Sequence, residues 1–171
     1  MKKNQTAFFK LCLADSIIKL LKTEELDEIH VSDICREAGI GRTTFYRYFN
    51  SRNSKEELLV FKITYEWERY AEGYREAVER DKGFALACFI YENKRIFSLL
   101  YRRGLIDAIM RAFEELIPAD TACDKDASYL MSFFAYGYFG IIYQWIKYDF
   151  DETPEQVRGH INRTFSAGLV L

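Results

Sequence analysis

The most constraining feature of the sequence is the run VSDICREAGIGRTTFYRYF at residues 31–49. Its first half carries apolar residues at three- and four-residue spacing, which predicts a short helix with one buried face. These residues are Val31, Ile34, Cys35 and Ala38. Gly39 follows at the position where a left-handed residue ends a helix at little cost. Two short helices joined by such a tight, glycine-containing turn are typical of a helix-turn-helix.

The second helix of this pair, from Arg42 to Phe49, is predicted to have two chemically different faces. Phe45 and Phe49 are four residues apart, so they share a face that packs, with Ile40, against the preceding helices. The opposite face carries polar side chains, namely Arg42, Thr43, Tyr46 and Arg47, with Tyr48 at its edge. The segment therefore combines core phenylalanines with arginines and hydroxyls that point outward.

Another helix is predicted before this pair, in the segment KLCLADSIIKLLK at residues 10–22. One of its faces is apolar at helical spacing. That face consists of Leu11, Ala14, Ile17, Ile18 and Leu21. In the rest of the chain, too, apolar residues recur mostly at helical spacing, and there are only two prolines among 171 residues. The protein is therefore predicted to be all-α.

Charge is unevenly distributed along the sequence. The formal net charge is −2, which by itself argues neither for nor against a nucleic-acid partner. Between Arg36 and Lys55, however, five basic residues accompany a single acidic residue, Glu37. A local basic patch on a nearly neutral protein is the weak form of the electrostatic signature of nucleic-acid binding.

The order of these features resembles the DNA-binding domain of the TetR family of bacterial transcriptional regulators. The resemblance runs from about Phe8 to Leu59. It depends on spacing: Val-x-x-Ile, Ala-Gly-Ile, Thr-Phe-Tyr-x-x-Phe and then Lys-Glu-x-Leu. It implies an all-α fold with an N-terminal three-helix DNA-binding domain at residues 1–54, whose helix-turn-helix occupies about 30–49. It also implies a C-terminal helical domain at residues 55–171 that binds a ligand and forms a homodimer.

Eight residues are expected to contact double-stranded DNA, and they are Arg42, Thr43, Thr44, Tyr46, Arg47, Tyr48, Ser54 and Lys55. A planar guanidinium group can read a guanine edge, so the two arginines would supply most of the sequence preference. The threonine and tyrosine hydroxyls would contact phosphates, as the resemblance also implies. Ser54 and Lys55 begin the fourth helix, whose N-terminal dipole favours a phosphate. The run NSRN lengthens the link before them, so either Lys55 keeps a phosphate contact or Arg52 replaces it.

The remainder of the chain is predicted to form further helices. The predicted segments are helices at residues 55–80, 84–103 and 105–117, a loop at 118–126, a long helix at about 126–148, and a last helix from Pro154. Thr153 is expected to cap the last helix in a capping box with Gln156.

The uncharged segment ASYLMSFFAYGYFGIIYQWI, at residues 127–146, is long enough to cross a bilayer. Its tyrosines, serines and glutamine would be costly in hydrocarbon, which favours a buried helix and no membrane partner, with a single span as the alternative. This helix is apolar on nearly every side, so its spare face is predicted to pack on a second copy of the chain. The alternative is that the helix forms the central core of its own domain. The predicted dimer residues are Tyr136, Phe139, Gly140, Tyr143, Val157, Ile161 and Phe165.

Members of the TetR family usually enclose a small-molecule pocket among the C-terminal helices, so the resemblance implies an effector of unknown identity. Seven aromatic residues could line such a pocket, and they are Trp67, Tyr70, Phe89, Phe97, Tyr101, Phe113 and Phe134. A pocket with this lining would suit a planar or apolar molecule. The alternative is ordinary core, because an aromatic stripe at helical spacing usually is core.

These patterns predict a homodimeric, ligand-responsive DNA-binding transcriptional regulator, most simply a repressor of a palindromic operator. The alternative is a protein–protein adaptor of the same fold that does not bind DNA, which the lengthened link and the nearly neutral first domain would suit. A helical enzyme or lipid-binding module lacks any site pattern, and no cofactor or metal is expected. Four widely spaced cysteines without a CxxC pair favour a reducing, cytoplasmic location.

Overall fold

Over the part of the chain that the structure describes, every helix or strand is an α-helix, which confirms the predicted all-α class. A computed structural model describes residues 2–117 and 124–166, with side chains for 5–117 and 124–163. In these ranges the helices are α1 Lys2–Leu20, α2 Val31–Ala38, α3 Arg42–Tyr48, α4 Ser54–Gly73, α5 Arg75–Arg80, α6 Lys82–Glu92, α7 Lys94–Arg102, α8 Ile106–Leu116, α9 Lys125–Lys147 and α10 Pro154–Ser166.

The first three helices pack around a shared apolar core. Leu13, Ala14 and Ile17 of α1 are fully buried, as are Ile34 of α2 and Phe45 of α3. Each large apolar side chain that is removed from water in this way stabilises the fold by about 1.5–3 kcal/mol. Of the predicted face of α1, Ala14, Ile17 and Leu21 are buried, whereas Leu11 and Ile18 are half-buried and Leu13, which the prediction left out, is fully buried. The observed bounds of α2 match the predicted helix.

Helix α4 connects this N-terminal core to the rest of the protein. Leu58, Leu59 and Ile63 are almost completely buried, and the helix packs most extensively against α1 on one side and α8 on the other. The orientation of α4 is therefore coupled to both the N-terminal and the C-terminal helices.

A charged cluster reinforces the contact between α1 and α4. The Lys62 ammonium lies 2.6 Å from the Asp15 carboxylate on α1 and 2.7 Å from Glu66 on α4. Burial of Lys62 by itself lowers its pKa, but the hydrogen bonds to Asp15 and Glu66 outweigh burial and raise it. The lysine therefore remains charged at neutral pH, as a cation with two carboxylate partners.

The predicted helix 55–80 is interrupted, and this prediction was wrong in its length. Helix α4 ends at Gly73, and a new helix begins after Tyr74, whose backbone leaves the helical region at φ −120° and ψ 35°. Glycine is a poor helix former, and Gly73 is exposed, so no tertiary packing compensates for it.

The predicted helix 84–103 is also divided, into α6 and α7. The break falls at Asn93, whose side-chain amide donates a hydrogen bond of 2.9 Å to the Phe89 carbonyl. Such local side-chain bonds compete with the helical pattern of the backbone. Helix α6 begins earlier than predicted because the Asp81 carboxylate caps it by accepting from the Phe84 amide at 2.9 Å.

The last two helices follow the prediction closely. Asp124 caps α9 by accepting from the Ala127 amide at 2.8 Å. At the start of α10, the Gln156 side chain accepts from the Thr153 amide at 2.8 Å and the Gln156 amide donates to the Thr153 hydroxyl at 3.4 Å, which is the predicted capping box. Most of the predicted loop, residues 118–123, lies outside the described residues. Among the described helices, α9 included, we find none that is long and apolar enough to cross a membrane.

Two glycines allow a test of the backbone geometry. Gly39 ends α2 with φ +65°, whereas Gly73 is helical and an added Cβ would meet nothing within 4 Å. The substitution Gly39→Ala should lower the free energy of unfolding by about 1–2 kcal/mol, because a Cβ is strained in the left-handed region. Gly73→Ala should leave it unchanged or raise it by about 0.5–1 kcal/mol.

Urea denaturation of both variants beside the unchanged protein measures these differences. Equal losses of stability in the two variants would contradict the left-handed geometry assigned to Gly39.

Candidate DNA-binding surface

The turn between α2 and α3 is built from backbone hydrogen bonds and glycine geometry. The Gly39 amide donates to the Arg36 carbonyl at 3.3 Å, and the Ile40 amide donates to the Cys35 carbonyl at 3.0 Å. Gly41 then adopts an extended conformation, with φ −69° and ψ 145°, directly before α3. The two helices are thereby held in a fixed turn, and α3 lies across the outside of the N-terminal core.

Helix α3 has one buried and one exposed face, as its sequence predicted. Phe45 is fully buried and Phe49 is 4% exposed, with their ring centroids 5.8 Å apart. On the other side, the exposed side chains are Arg42, Thr43, Tyr46 and Arg47, while Thr44 and Tyr48 are half-buried. Burial of the two phenylalanines therefore determines which side chains point away from the core.

The exposed arginines of α3 are not neutralised by neighbouring acids. Arg36 on α2 forms an ion pair of 2.8 Å with Asp33, and Glu37 is paired with Lys19. Among the described side chains, neither Arg42 nor Arg47 has a carboxylate within ion-pair distance. The positive charge of this surface is thus concentrated on α3.

The C-terminal end of α3 is held by a contact that the sequence analysis did not find. The Lys10 ammonium on α1 lies 5.9 Å from the centre of the Tyr48 ring, 5.3 Å from Phe49 and 5.4 Å from Phe61. Cations are attracted to aromatic faces at such distances. The Tyr48 hydroxyl also lies 3.5 Å from the Thr6 hydroxyl. Tyr48 therefore faces α1 with its ring, and no local periodicity could have revealed this partner.

The link between α3 and α4, which the run NSRN lengthens, forms a hydrogen-bonded turn. The Ser51 hydroxyl donates to the Glu57 carboxylate at 2.5 Å, and the Asn53 amide donates to the Ser51 hydroxyl at 3.2 Å. A carboxylate in the first turn of α4 also interacts favourably with the helix dipole. Arg52 is exposed on this link.

The first two residues of α4, Ser54 and Lys55, are directed toward the protein. Ser54 is 7% exposed, so its hydroxyl is largely withdrawn from the surface. The Lys55 ammonium donates to the Leu26 carbonyl at 2.6 Å and to the Ile29 carbonyl at 3.2 Å. These carbonyls belong to the connection between α1 and α2, which Lys55 therefore ties to the start of α4.

Four of the seven aromatics predicted for a pocket pack against one another. The Trp67 ring stacks on Tyr70 with centroids 5.8 Å apart, and Phe89 meets the Trp67 ring at 5.5 Å and Phe97 at 6.2 Å. The cavity beside Phe89 and Phe97 has a volume of about 10 Å³, which is about enough for one water molecule. Burial raises the pKa of Tyr70 to about 12, with smaller contributions from Cys88 and Glu92.

The other three aromatics lie on separate contacts. Phe113 packs on Phe139 with centroids 5.5 Å apart, and Tyr101 packs on Tyr143 at 5.9 Å. Phe134, on α9, is 46% exposed. The structure thus brings Trp67, Tyr70, Phe89 and Phe97 together as core and places Phe134 at the surface.

Helix α9 exposes several large apolar side chains within the part of the chain that the structure describes. Its exposed large apolar side chains are Tyr129, Leu130, Met131, Phe133, Phe134 and Tyr136. Of the predicted dimer residues, Tyr136 and Gly140 are exposed, Phe139, Tyr143 and Ile161 are half-buried, and Val157 is 3% exposed. The side chain of Phe165 lies outside the described residues.

Two family models match this chain. A family model described as the C-terminal region of a transcriptional regulator matches residues 65–167. A second, described as bacterial regulatory proteins of the tetR family, matches residues 13–60. The chain belongs to the tetR family. The match to the N-terminal tetR model covers most of α1, all of α2 and α3, and the start of α4, and it includes every exposed side chain of α3.

A relative supports the same assignment over part of the chain. The HTH-type transcriptional regulator EthR of Mycolicibacterium smegmatis is 43% identical over 61 residues, a stretch that covers 36% of this chain and 27% of EthR. The chain thus spans about a quarter of the length of this relative. The likeness to EthR concerns one domain-sized stretch of the tetR-family chain.

The internal role of Lys55 makes a prediction that does not involve DNA. Replacing Lys55 with methionine keeps an unbranched stem but removes the ammonium, so the carbonyls of Leu26 and Ile29 lose their donor. The free energy of unfolding should fall by about 1–2 kcal/mol, as measured by urea denaturation in the absence of DNA. Arg52→Met, on the exposed link, is the control and should not change it. If Lys55→Met unfolds at the same urea concentration as the unchanged protein, Lys55 does not anchor this connection.

Proposed function

We propose that this chain is a DNA-binding transcriptional regulator that acts as a homodimer and responds to a small molecule, with repression as its mode. One observation carries the proposal. In the domain that matches the tetR family, α3 exposes two arginines that form no ion pair with any described side chain, while Phe45 and Phe49 fix the helix to the core. A rigid helix with free guanidinium groups suits the major groove of DNA.

The exposed residues of α3 take complementary roles in this proposal. Arg42 stands at the start of the helix and forms a bidentate contact with a guanine, and Arg47 either does the same or grips a phosphate. Thr43, Thr44 and Tyr46 donate their hydroxyls to phosphates. Phosphate contacts fix the register of the protein, whereas base contacts determine the sequence.

The remaining candidates lie at the edge of this surface. Tyr48 contacts a phosphate from the C-terminal end of α3, held by Lys10 and Thr6. Ser54 and Lys55 lie where the dipole of α4 favours an anion. Since Lys55 already donates to two carbonyls, its contribution to DNA binding is chiefly to hold the domain in shape.

Dimerisation through α9 and α10 supplies the symmetry that operator recognition needs. The exposed apolar side chains of α9 are buried against the partner, and Gly137 and Gly140 allow close approach because an added Cβ would meet nothing within 4 Å inside the chain. Two recognition helices about 34 Å apart then read the two halves of a palindromic site.

The effector acts through α4. Because α4 packs on both α1 and α8, a ligand that alters the packing of the C-terminal helices changes the separation of the two α3 helices. The ligand can change DNA affinity only by the difference between its own affinities for the two conformations. Residues 1–54 thus serve as the reading domain and residues 55–171 as the sensing and dimerising domain.

A protein–protein adaptor is the second candidate. The exposed apolar surface of α9 and the internal engagement of Lys55 favour it, because neither feature requires DNA. Selection from random double-stranded DNA with the purified, folded protein separates the two functions. The regulator enriches an inverted repeat, and its affinity for that repeat falls steeply with added salt. The adaptor enriches no sequence and shows no affinity even at low salt.

The roles of Arg42 and Tyr46 predict two different losses. Arg42→Ala should weaken binding to the selected operator by about tenfold to a hundredfold and relax the base preference at one position of each half-site. Tyr46→Phe should weaken binding to all sequences alike, because it removes only a phosphate contact. Arg69→Ala, near the other end of α4, is the control.

Fluorescence anisotropy with the operator and with single-base variants of it measures these effects. Unchanged affinity and preference in both α3 variants would show that α3 does not face the DNA.

Gly140 tests the dimer. The variant Gly140→Leu should fold normally, because the space around this position is open within one chain, yet it should block close approach of α9 to its partner. We expect the dimer to dissociate at least about tenfold more readily, which corresponds to about 1.4 kcal/mol. Gly73→Leu, at an open position on α4, is the matched control. Analytical ultracentrifugation over a concentration series measures the change, and a dimer as stable as the unchanged one would place the interface elsewhere.

A further inference from the structure

A cavity lies between α6, α9 and α10, separate from the aromatic cluster of Trp67 and Phe89. Its volume is about 240 Å³. Much of its lining is apolar and includes Phe84, Ala87, Ile141 and Ile161. Of the seven aromatic residues that were predicted to line a ligand pocket, only Phe134 lines this cavity. An apolar cavity of about 150 Å³ is known to accept benzene, so this space accommodates one ring and a substituent.

The polar edge of the cavity is already fixed by contacts within the protein. Asp81, which caps α6, forms an ion pair with Arg158, with a guanidinium nitrogen 2.8 Å from a carboxylate oxygen. The same guanidinium lies over the Phe84 ring, 4.7 Å from its centre. Arg158 is therefore held by an ion pair and an aromatic face, while a guanidinium has five N–H donors and only some of them are used here. Arg158 is itself one of the residues that line the cavity.

The opposite polar group is the half-buried Tyr138. The Tyr138 hydroxyl donates to the Gly83 carbonyl at 2.6 Å. Burial and, to a smaller extent, Asp81 and Cys88 raise the pKa of Tyr138, so this hydroxyl stays neutral. The charges of Asp81 and Arg158 cancel, so the lining as a whole is neutral. The lining side chains that can still donate hydrogen bonds to a ligand are those of Arg158 and Asn162.

We propose that this cavity binds a monocyclic aromatic molecule that carries one planar hydrogen-bond acceptor group. The ring occupies the apolar space beside Phe84, Ala87 and Ile161, and the acceptor receives hydrogen bonds from the Arg158 guanidinium. A planar fork of donors matches a planar acceptor such as a carboxylate or a carboxamide. That the bound molecule is the effector rests on the proposed function. Because α9 and α10 also carry the predicted dimer face, such a ligand would act directly on the assembly.

The first experiment uses three probes that differ only in the acceptor. Benzoate, benzamide and toluene are titrated into the full-length protein without DNA, and binding is followed by ligand-observed NMR. Benzoate and benzamide should bind at least about tenfold more tightly than toluene. A difference between benzoate and benzamide would show whether the preferred acceptor is charged. Equal affinity for all three probes, or no binding at millimolar concentration, would overturn the proposal.

The second experiment uses variants of the lining. Ala87→Leu fills part of the cavity and should weaken benzamide binding at least about tenfold. Arg158→Gln should bring the affinity for benzamide down to that for toluene. Arg69→Gln, an exposed arginine elsewhere, is the control. Gly83→Ala is a milder block that the fold tolerates, because its Cβ would lie 3.7 Å from Asp81 and 3.9 Å from Tyr138. If Ala87→Leu does not fold, Gly83→Ala replaces it in the experiment and should also weaken benzamide binding.

The outcome is independent of DNA binding. Probe binding that none of the lining variants weakens would place the ligand elsewhere and overturn the proposal, even if an operator is found. Conversely, cavity binding by a protein that selects no DNA would leave the ligand site in place and remove the proposed regulatory role. Only a fall in operator affinity on addition of the bound probe, absent in Ala87→Leu or Gly83→Ala, supports both together.

Discussion

The packing of α4 against both α1 and α8 is the constraint on which the rest of the structure depends. Leu58, Leu59 and Ile63 are almost completely buried, so α4 cannot tilt without exposing apolar surface on one side or the other. The Lys62 bridge to Asp15 adds a directional contact to this non-directional packing. In the proposed function, a change among the C-terminal helices reaches the N-terminal helices through α4.

This packing also determines which side chains of α3 form the candidate DNA-binding surface. Phe45 and Phe49 are drawn into the core next to α1 and α4, and the polar residues of α3 are left outside, where water satisfies them at no cost. Lys10 then fixes the end of α3 through the faces of Tyr48 and Phe49. The arginines are thus held on a helix that does not have to be ordered when DNA arrives, and a preordered surface binds at a lower entropic cost.

Features governed by short sequence separations could be predicted well. The turn at Gly39, the two faces of α3 and the capping box of Thr153 and Gln156 all depend on residues within a few positions of one another. The two wrong helix lengths show where local patterns fail. Apolar spacing continues across Tyr74 and Asn93, so the periodicity indicates unbroken helices, while backbone geometry and the Asn93 side chain end them.

The sequence by itself therefore determined the all-α class, the helix-turn-helix and the outward face of α3, because helical periodicity records which residues share a face. Only the tertiary structure decided which distant groups meet. Lys55 reaches the carbonyls of Leu26 and Ile29, and Asp81 meets Arg158 beside a cavity. Helical periodicity identifies the apolar face of a helix but not the element that packs against it. Contacts between residues that are tens of positions apart depend on how the helices pack, and no local pattern records this.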